Sequence, residues 1–559
     1  MTTKFMQSRK KISELNTDER SLELVAPSAN LAAAALEENA RDRSKIALVW
    51  ESSNCRREVF SFFEIENLSN RIANVLVSLE VNFGDRVFTL LNRTPELYAT
   101  IPAVLKIGAA VAVLFPDFGP EAIRQRLEDS GAKILITDRA NLQKVRAVCD
   151  LLPELKHILI VGDFSENETV CAVQIHAFDR LLETSSAEFT PVNVSDDDTC
   201  FLIYTSGTTG FPKGVVHRHA IRERLIDSAK AILQLEKDDF FWCTADPGWV
   251  TGLCYGIFAP WLLGMPIFVY EGEFDALRWI EILERNQVTC LYTTPTLLRL
   301  LRNEIGDVSP KRDFALRRIY SVGEPLNPEV LAWAERTFNA QVYDNYWQTE
   351  TGSFVIANRP NLKVKRGAMG KAVEGVQVSI IDSHGREVIN GEVGDIAVRP
   401  TLTSLFKGYW NFPEATRACF RAGWYITRDR GRRDKDGYFW FMARNDDVIT
   451  CQAQRIGPFE VENALVSHPA IAESAAVGVT DAVTTEHVKA FIVLRRGFEA
   501  SPQLAEEIAA HVRAQLSPLA TPREIEFCRD LPKTRSGKIR RDQLRRRDNF
   551  DKEKVFLIE

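Results

Sequence analysis

Short apolar runs alternate with longer stretches of helical period along most of this chain, and that alternation restricts the fold more than any single motif does. Residues 86–91, 133–137 and 157–161 read as strands, and residues 120–130 read as a helix among them. Apolar runs too short for helices, separated by amphipathic segments long enough to cross back over a sheet, are the pattern of βαβ units and mainly parallel sheets. The pattern continues with helix-like segments at 220–235 and 277–286 and strand-like ones at 267–270 and 289–293, and residues 341–343 read as a further strand. An α/β fold with two related parallel-sheet subdomains is therefore expected. Between residues 375 and 400 the character changes to short alternating strands with turn signals at Asp382-Ser383-His384-Gly385 and Asn390-Gly391, which predicts a small β-rich subdomain. A further α/β unit follows, with helices at 458–467 and 502–516 and strands at 475–479 and 488–494. At 559 residues the chain exceeds one ordinary core, and the expected division is a large N-terminal domain, 1–445, and a small C-terminal domain, 446–559.

Composition excludes several classes of function. A hydrophobic fraction of 45% and a charged fraction of 26% are those of an average globular chain. The net charge of −6 spread over this length gives no field favouring nucleic acid, and the basic run 538–547 reads as a solvated helix face. No apolar stretch follows the N-terminal charges and no run approaches about 18 uninterrupted apolar residues, so a cytoplasmic protein without a membrane span is expected. The ten cysteines are scattered without a Cys-x-x-Cys pair, which predicts reduced thiols rather than a disulfide frame or a thiolate metal site. Oligomeric state is not legible.

The most informative local segment is Phe201-Leu202-Ile203-Tyr204-Thr205-Ser206-Gly207-Thr208-Thr209-Gly210-Phe211-Pro212-Lys213-Gly214. An apolar strand runs into hydroxyls and glycines, then a lysine. Glycines let several backbone N–H groups face one anion, the hydroxyls add donors and Lys213 adds charge, a combination suited to a polyphosphate. It is not a Walker A loop, since Pro212 precedes Lys213 and no Ser or Thr follows it.

This string closely resembles the phosphate loop of the acyl-adenylate-forming superfamily, and the likeness runs in register from about Ser61 to the basic tail. The resemblance implies ATP and Mg²⁺ as cofactors, a small carboxylic acid as substrate, and an acyl-adenylate intermediate. Thr205, Ser206, Gly207, Thr208, Thr209, Gly210 and Lys213 would then hold phosphate. Tyr346-Trp347-Gln348-Thr349-Glu350-Thr351-Gly352 matches the motif whose threonine reaches the α-phosphate and whose glutamate reaches Mg²⁺, which assigns those roles to Thr349 and Glu350. A hard cation bridging phosphates needs a carboxylate oxygen and keeps its waters, so one well-placed glutamate suffices.

Gly323-Glu324-Pro325 matches the adenine-side loop, and Asp344 with Asn345 lies where the family contacts the adenine region. Trp424-Tyr425-Ile426-Thr427-Arg428-Asp429 matches a Thr-Gly-Asp motif, making Asp429 the ribose ligand with Arg444 beside it and Arg428 in place of the usual glycine. Leu531-Pro532-Lys533-Thr534-Arg535-Ser536-Gly537-Lys538 resembles the catalytic lysine motif. Lys538 is the candidate cation for the charge that grows as a carboxylate attacks the α-phosphate. Arg444-Asn445-Asp446-Asp447 resembles the family hinge, with Asp446 the pivot about which the small domain swings between half-reactions.

Ala245-Asp246-Pro247-Gly248-Trp249-Val250-Thr251-Gly252 is similar to the acyl-pocket segment of acetyl-CoA synthetases, and Trp347 stands where an indole shortens their pocket. Trp249, Val250, Thr251, Val322 and Trp347 are the candidate pocket residues, and a short or compact acyl group is expected. Phe441-Met442-Ala443-Arg444, Asp434-Lys435-Asp436-Gly437-Tyr438 and the segment from Ile456 to Asn463 instead resemble medium-chain acyl-CoA synthetases. Coenzyme A is the expected acceptor: Arg455, a candidate ATP/AMP-binding residue, keeps the arginine of the thioester-forming motif, and Arg513 matches an arginine that binds the CoA 3′-phosphate. The thioester-forming members carry Ser-Gly-x-Arg after the hinge, whereas this chain has Gln452-Ala453-Gln454-Arg455. A methyl at Ala453 beside the pantetheine tunnel leaves open an amide ligase acting on an amine, or the loading of a carrier protein.

Overall fold

The computed structural model describes residues 29–164, 168–170, 172–206, 211–306, 313–444, 447–451, 454–481, 485–533, 539–546 and 555–558. The described residues form four sheets with helices packed over them. In the first, of nine strands, Ile46–Glu51, Ile267–Tyr270, Phe241–Cys243, Cys290–Thr293, Arg318–Ser321 and Gln341–Tyr346 run parallel, with antiparallel strands at both edges. The second, also of nine, has Ala110–Val113, Arg86–Leu90, Ile134–Asp138, His157–Val161 and Val173–Ala177 in parallel. Thr199–Ser206 joins its edge parallel to Ala110–Val113 and pairs antiparallel with Pro212–Arg218. A five-stranded antiparallel sheet contains Val378–Ile381, Val393–Val398, Trp424–Arg433 and Phe439–Arg444, and a six-stranded sheet gathers strands between residues 449 and 557.

Local chemistry accounts for the element ends. Helix Phe62–Ser78 opens on a capping box in which Ser61 Oγ accepts from Glu64 N (3.2 Å) while Ser61 N donates to Glu64 Oε2 (2.8 Å). Helix Pro120–Ser130 starts on proline and stops at Gly131, whose φ of +59° is the left-handed conformation that ends a helix.

Two expectations need correction. The helical segment 220–235 is α-helical only over Ile221–Ser228 and widens into a π-turn at Ala229–Leu233. The Tyr320 hydroxyl donates to the carbonyls of Ile232 and Leu233 (2.9 and 2.8 Å), satisfying groups at the end of that turn. The strand expected at 341–343 continues to Tyr346, because Asp344 pairs with Ser321 on one side and Asn345 and Tyr346 pair with Ala357 and Ile356 on the other. Asp and Asn are poor strand formers alone, and ladder partners on both sides override that preference.

Candidate functional site

The parallel strands of the first sheet end side by side, with Thr293 opposite Ser321 and Ser321 opposite Asp344. Crevices at the carboxyl ends of parallel strands are where α/β sheets take ligands. Three buried polar atoms at these strand ends have no partner among the described residues: Ser321 Oγ and Asp344 Oδ1, on neighbouring paired positions, and Asn345 Nδ2, whose side chain leaves the opposite face of its strand. Burial pushes the Asp344 carboxyl well above the usual carboxylate range, against one opposing hydrogen bond from the Asn345 backbone. Orphaned buried polar groups cost stability and call for a ligand with matching donors and acceptors. Gly323 follows with φ +91°, turning the chain back over this edge. The Glu324 carboxylate turns away, accepting from Thr296 Oγ1 (2.7 Å) and Arg299 Nη2 (2.7 Å), so its visible role is to brace the Gly323-Glu324-Pro325 loop.

Beyond the strand end, residues 348–352 form a closed turn. Gln348 N donates to Thr351 Oγ1 (2.9 Å) and Thr351 N to Gln348 O (3.1 Å), leaving Thr349 and Glu350 at its tip. Gly352 has φ +66°, and a Cβ there would lie 2.5 Å from Ser404 O and 2.9 Å from the His217 ring, so only glycine fits. His217 Nε2 donates to Thr349 O (2.7 Å), and burial lowers the imidazole to about 4, which keeps it neutral. Tyr409 Oη donates to Glu350 Oε1 (2.7 Å), and Lys213 Nζ stands 5.5 Å from the centre of the Tyr409 ring. Lys213 pairs with Thr205 in the ladder of the phosphate hairpin, so the cation, the hydroxyl residue and the carboxylate are gathered on one side of the crevice.

Asp429 lies on the opposite wall, buried, in strand Trp424–Arg433. Its Oδ2 accepts from Tyr346 Oη (2.7 Å) and Gln348 Nε2 (2.6 Å), and Arg444 Nε lies 3.7 Å from Oδ1. Gln348 is held in turn by Thr427 O, to which its Nε2 donates (2.8 Å), and by Tyr425 Oη, which donates to Gln348 Oε1 (2.9 Å). Burial, then the charge of Asp429, raises the Tyr346 phenol well above its ordinary value, so the hydroxyl remains a donor. Arg428 has φ +63°. The backbone thus keeps the left-handed turn for which glycine is the natural residue, and Arg428 does not remove the carboxylate from the site.

The remaining wall is aromatic. Trp347 is 7% exposed, its ring edge-on to Tyr255 (5.1 Å) and Phe354 (5.9 Å), and Tyr255 stacks on Phe354 (4.2 Å). Val250, Val322 and Trp347 belong to one buried cluster, while Trp249 packs on Phe115 (4.9 Å) just before helix Val250–Leu253, which also carries Thr251. Arg513 sits in the last turn of helix Pro502–Gln515, in the C-terminal unit. Gly207, Thr208, Thr209, Gly210, Asp446, Ala453 and Lys538 lie outside the described residues, as do the side chains of Ser206 and Arg455. Sequence reasoning missed His217, Tyr409, Tyr425, Tyr255 and Tyr292. Each acts on a motif residue distant in the chain, and no local spacing marks it.

Comparison with known proteins shows the family. Residues 36–410 match the model of the AMP-binding enzyme family, and residues 460–538 match that of the AMP-binding enzyme C-terminal domain. Acetyl-coenzyme A synthetase of Bacillus subtilis (strain 168) is 42% identical over 506 residues, covering 90% of this chain and 87% of its own. A Brucella canis acyl-CoA synthetase structure is 38% identical with a TM-score of 0.72, covering 94% of this chain and 95% of that one. The anthranilate CoA ligase AuaEII, solved with anthranoyl-AMP, is 27% identical with a TM-score of 0.86, covering 93% of this chain and 98% of that one. The chain belongs to the AMP-binding enzyme family. Within it, this protein is an AMP-forming acid–thiol ligase, which activates a carboxylic acid with ATP as acyl-AMP and transfers the acyl group to coenzyme A. Among the described residues no helix is long and apolar enough to cross a membrane.

Proposed function

We propose that the acid activated here is short, in the range of acetate to propionate, and that the residues around the strand ends divide the work of its adenylation. The observation that carries this reading is Trp347, buried and bonded to Tyr292 Oη two residues before Thr349, where an indole leaves little room for a long acyl chain. Each methylene denied burial forfeits about 0.8 kcal/mol, and a clash with a fixed ring adds to that. The relatives at 42 and 34% identity that carry the name acetyl-coenzyme A synthetase support the same range.

Asp429, preorganised by Tyr346 and Gln348, accepts from the ribose hydroxyls, and Asp344 with Asn345 meets the adenine edge. Lys213 and the hairpin hold the β- and γ-phosphates, and the Thr349 hydroxyl steers the α-phosphate. Glu350 has the chemistry to hold Mg²⁺: Tyr409 uses one carboxylate oxygen, the other has no partner among the described residues, and phosphate and water would supply the remaining ligands. When bound, the ion neutralises charge on the phosphates. Lys538 stabilises the charge that builds as the carboxylate oxygen bonds to the α-phosphorus and pyrophosphate leaves. The CoA thiol then bonds to the acyl carbon, AMP leaves, and the thiol proton is released. Domains 1–445 and 446–559 alternate about Asp446 between the two steps.

Acid-dependent pyrophosphate exchange over a series from acetate to octanoate tests the reading. The expected kcat/KM is highest at two or three carbons, with Lys538→Ala lowering exchange at least about a hundredfold for every acid. A maximum at six carbons or more contradicts the substrate assignment, and full exchange by Lys538→Ala contradicts the assigned cation.

A further inference from the structure

Trp347 Nε1 donates to Tyr292 Oη (3.2 Å), and Tyr292 Oη donates to Asn345 Oδ1 (3.0 Å). The polarity of this chain follows from its first member. An indole N–H only donates, so the phenol oxygen accepts and its own proton passes on to the carboxamide oxygen. Tyr292 is fully buried, its ring set edge-on to Tyr255 (6.1 Å) and Phe354 (6.1 Å), and burial keeps its phenol protonated. Asn345 is 3% exposed and paired in the ladder with Ala357. The hydroxyl is therefore held by a rigid strand and not by a loop.

From this chain the geometry points to Tyr292 as the positioning residue that sets the acyl-length cutoff, by holding the Trp347 indole in one orientation. The inference rests on the reading of Trp347 as the pocket wall and adds what fixes that wall. Edge-on contacts with Tyr255 and Phe354 are tolerant of rotation, because either edge of an indole can meet a ring face. The indole itself is lopsided, with a six-membered ring on one side and the pyrrole N–H on the other. A turn about its χ2 exchanges the two and changes the depth left for the acid. The hydrogen bond favours the observed orientation, since a turned ring leaves its N–H buried without a partner. Tyr292 touches no reacting atom, so its effect falls on which acids fit and not on the phosphoryl chemistry.

The test is the ratio of kcat/KM for acetate to that for butyrate, read by pyrophosphate exchange in wild type, Tyr292→Phe, Trp347→Phe, the double variant and Trp347→Ala, with thermal melting of each. One methylene is worth about fourfold in such a ratio, so a wall that no longer keeps its depth should narrow it by about fifteenfold over two methylenes. The expected result is that narrowing in Tyr292→Phe, a larger one in Trp347→Ala, and no further change when Tyr292→Phe is added to Trp347→Phe, where no N–H remains to be held. If Trp347→Ala narrows the ratio while Tyr292→Phe leaves it within about twofold or lowers both acids alike, Tyr292 is structural only and the inference is overturned while the wall remains. If Trp347→Ala leaves the ratio unchanged, the wall itself is wrong and the inference falls with it. Should Tyr292→Phe alone fail to fold, the comparison within the Trp347→Phe background decides: a further narrowing there overturns the inference, and an unchanged ratio upholds it.

Discussion

Arg428 carries φ +63° as an exposed residue between buried Thr427 and buried Asp429, the proposed ribose ligand. A β-carbon in that conformation costs about 1–2 kcal/mol, of which glycine would return part to the unfolded chain's greater freedom. Arg428→Gly is expected to raise the free energy of unfolding by about 0.5–1 kcal/mol, measured by denaturant titration, with little change in KM for ATP because the bonds to Asp429 come from Tyr346 and Gln348. A loss of stability would mean that the arginine side chain makes a contact worth more than the strain. At this scale the sequence was partly legible. The ribose carboxylate and the substitution beside it could be read from the motif, whereas the bonds that aim Asp429 come from residues about eighty positions earlier, and pairs so separated leave no periodic trace.

The strand Pro212–Arg218 shows how one element serves both ends of the site. Its first residues place Lys213 beside Tyr409, and one residue before its end His217 holds the Thr349 carbonyl. His217 is lowered to about 4 by burial, and so is His219 just beyond the strand, whose Nδ1 accepts from Leu31 N. An unfolded histidine titrates near about 6.5, so the folded state favours the neutral rings. Their contribution is complete above about pH 6.5 and is lost as pH falls toward 4, at roughly 1.4 kcal/mol per pH unit for each ring, or about 3 kcal/mol each over the window. His217→Gln keeps a donor for Thr349 O without a titrating group. Its stability should therefore fall about one proton less steeply between pH 6.5 and 4, measured by urea unfolding at stepped pH, and an unchanged slope would show that the folded ring titrates as the unfolded one does. Element boundaries were readable where apolar period and caps agree, as at Pro120–Ser130 and His157–Val161. They were misread where tertiary partners override local preference, as in the π-turn capped by Tyr320 and in the Asp344-Asn345-Tyr346 end of its strand.

For the whole molecule, the proposed alternation about Asp446 requires the C-terminal unit to keep its shape while it changes partners. Arg541, three residues after Lys538, ties three segments of that unit together. Its Nη2 meets both oxygens of Glu462 (2.7 and 2.8 Å), and its Nη1 lies 3.7 Å from Asp447, the residue after the pivot. Glu462 is 7% exposed and also accepts from Ala476 N (2.9 Å), so helix Pro458–Val466, the strand Ile471–Asp481 and the start of helix Arg541–Arg545 meet at one carboxylate. Arg545 adds a second bond to Asp447 (2.6 Å). Among the described residues, Asn327 Nδ2 donates to Asn463 Oδ1 and Arg496 Nη2 lies 3.7 Å from Glu304 Oε2, and both contacts join the C-terminal unit to the large domain. Removing one member of a buried pair leaves the other charge uncompensated, at about 3–5 kcal/mol. Arg541→Ala is expected to destabilise the C-terminal unit by about that much and to slow adenylation, which needs Lys538 delivered in register, more than thioester formation from supplied acyl-AMP. Differential scanning calorimetry and separate assays of the two half-reactions check this. Equal losses in both, with an unchanged melting profile, would mean that the arginine neither braces the unit nor aims the lysine.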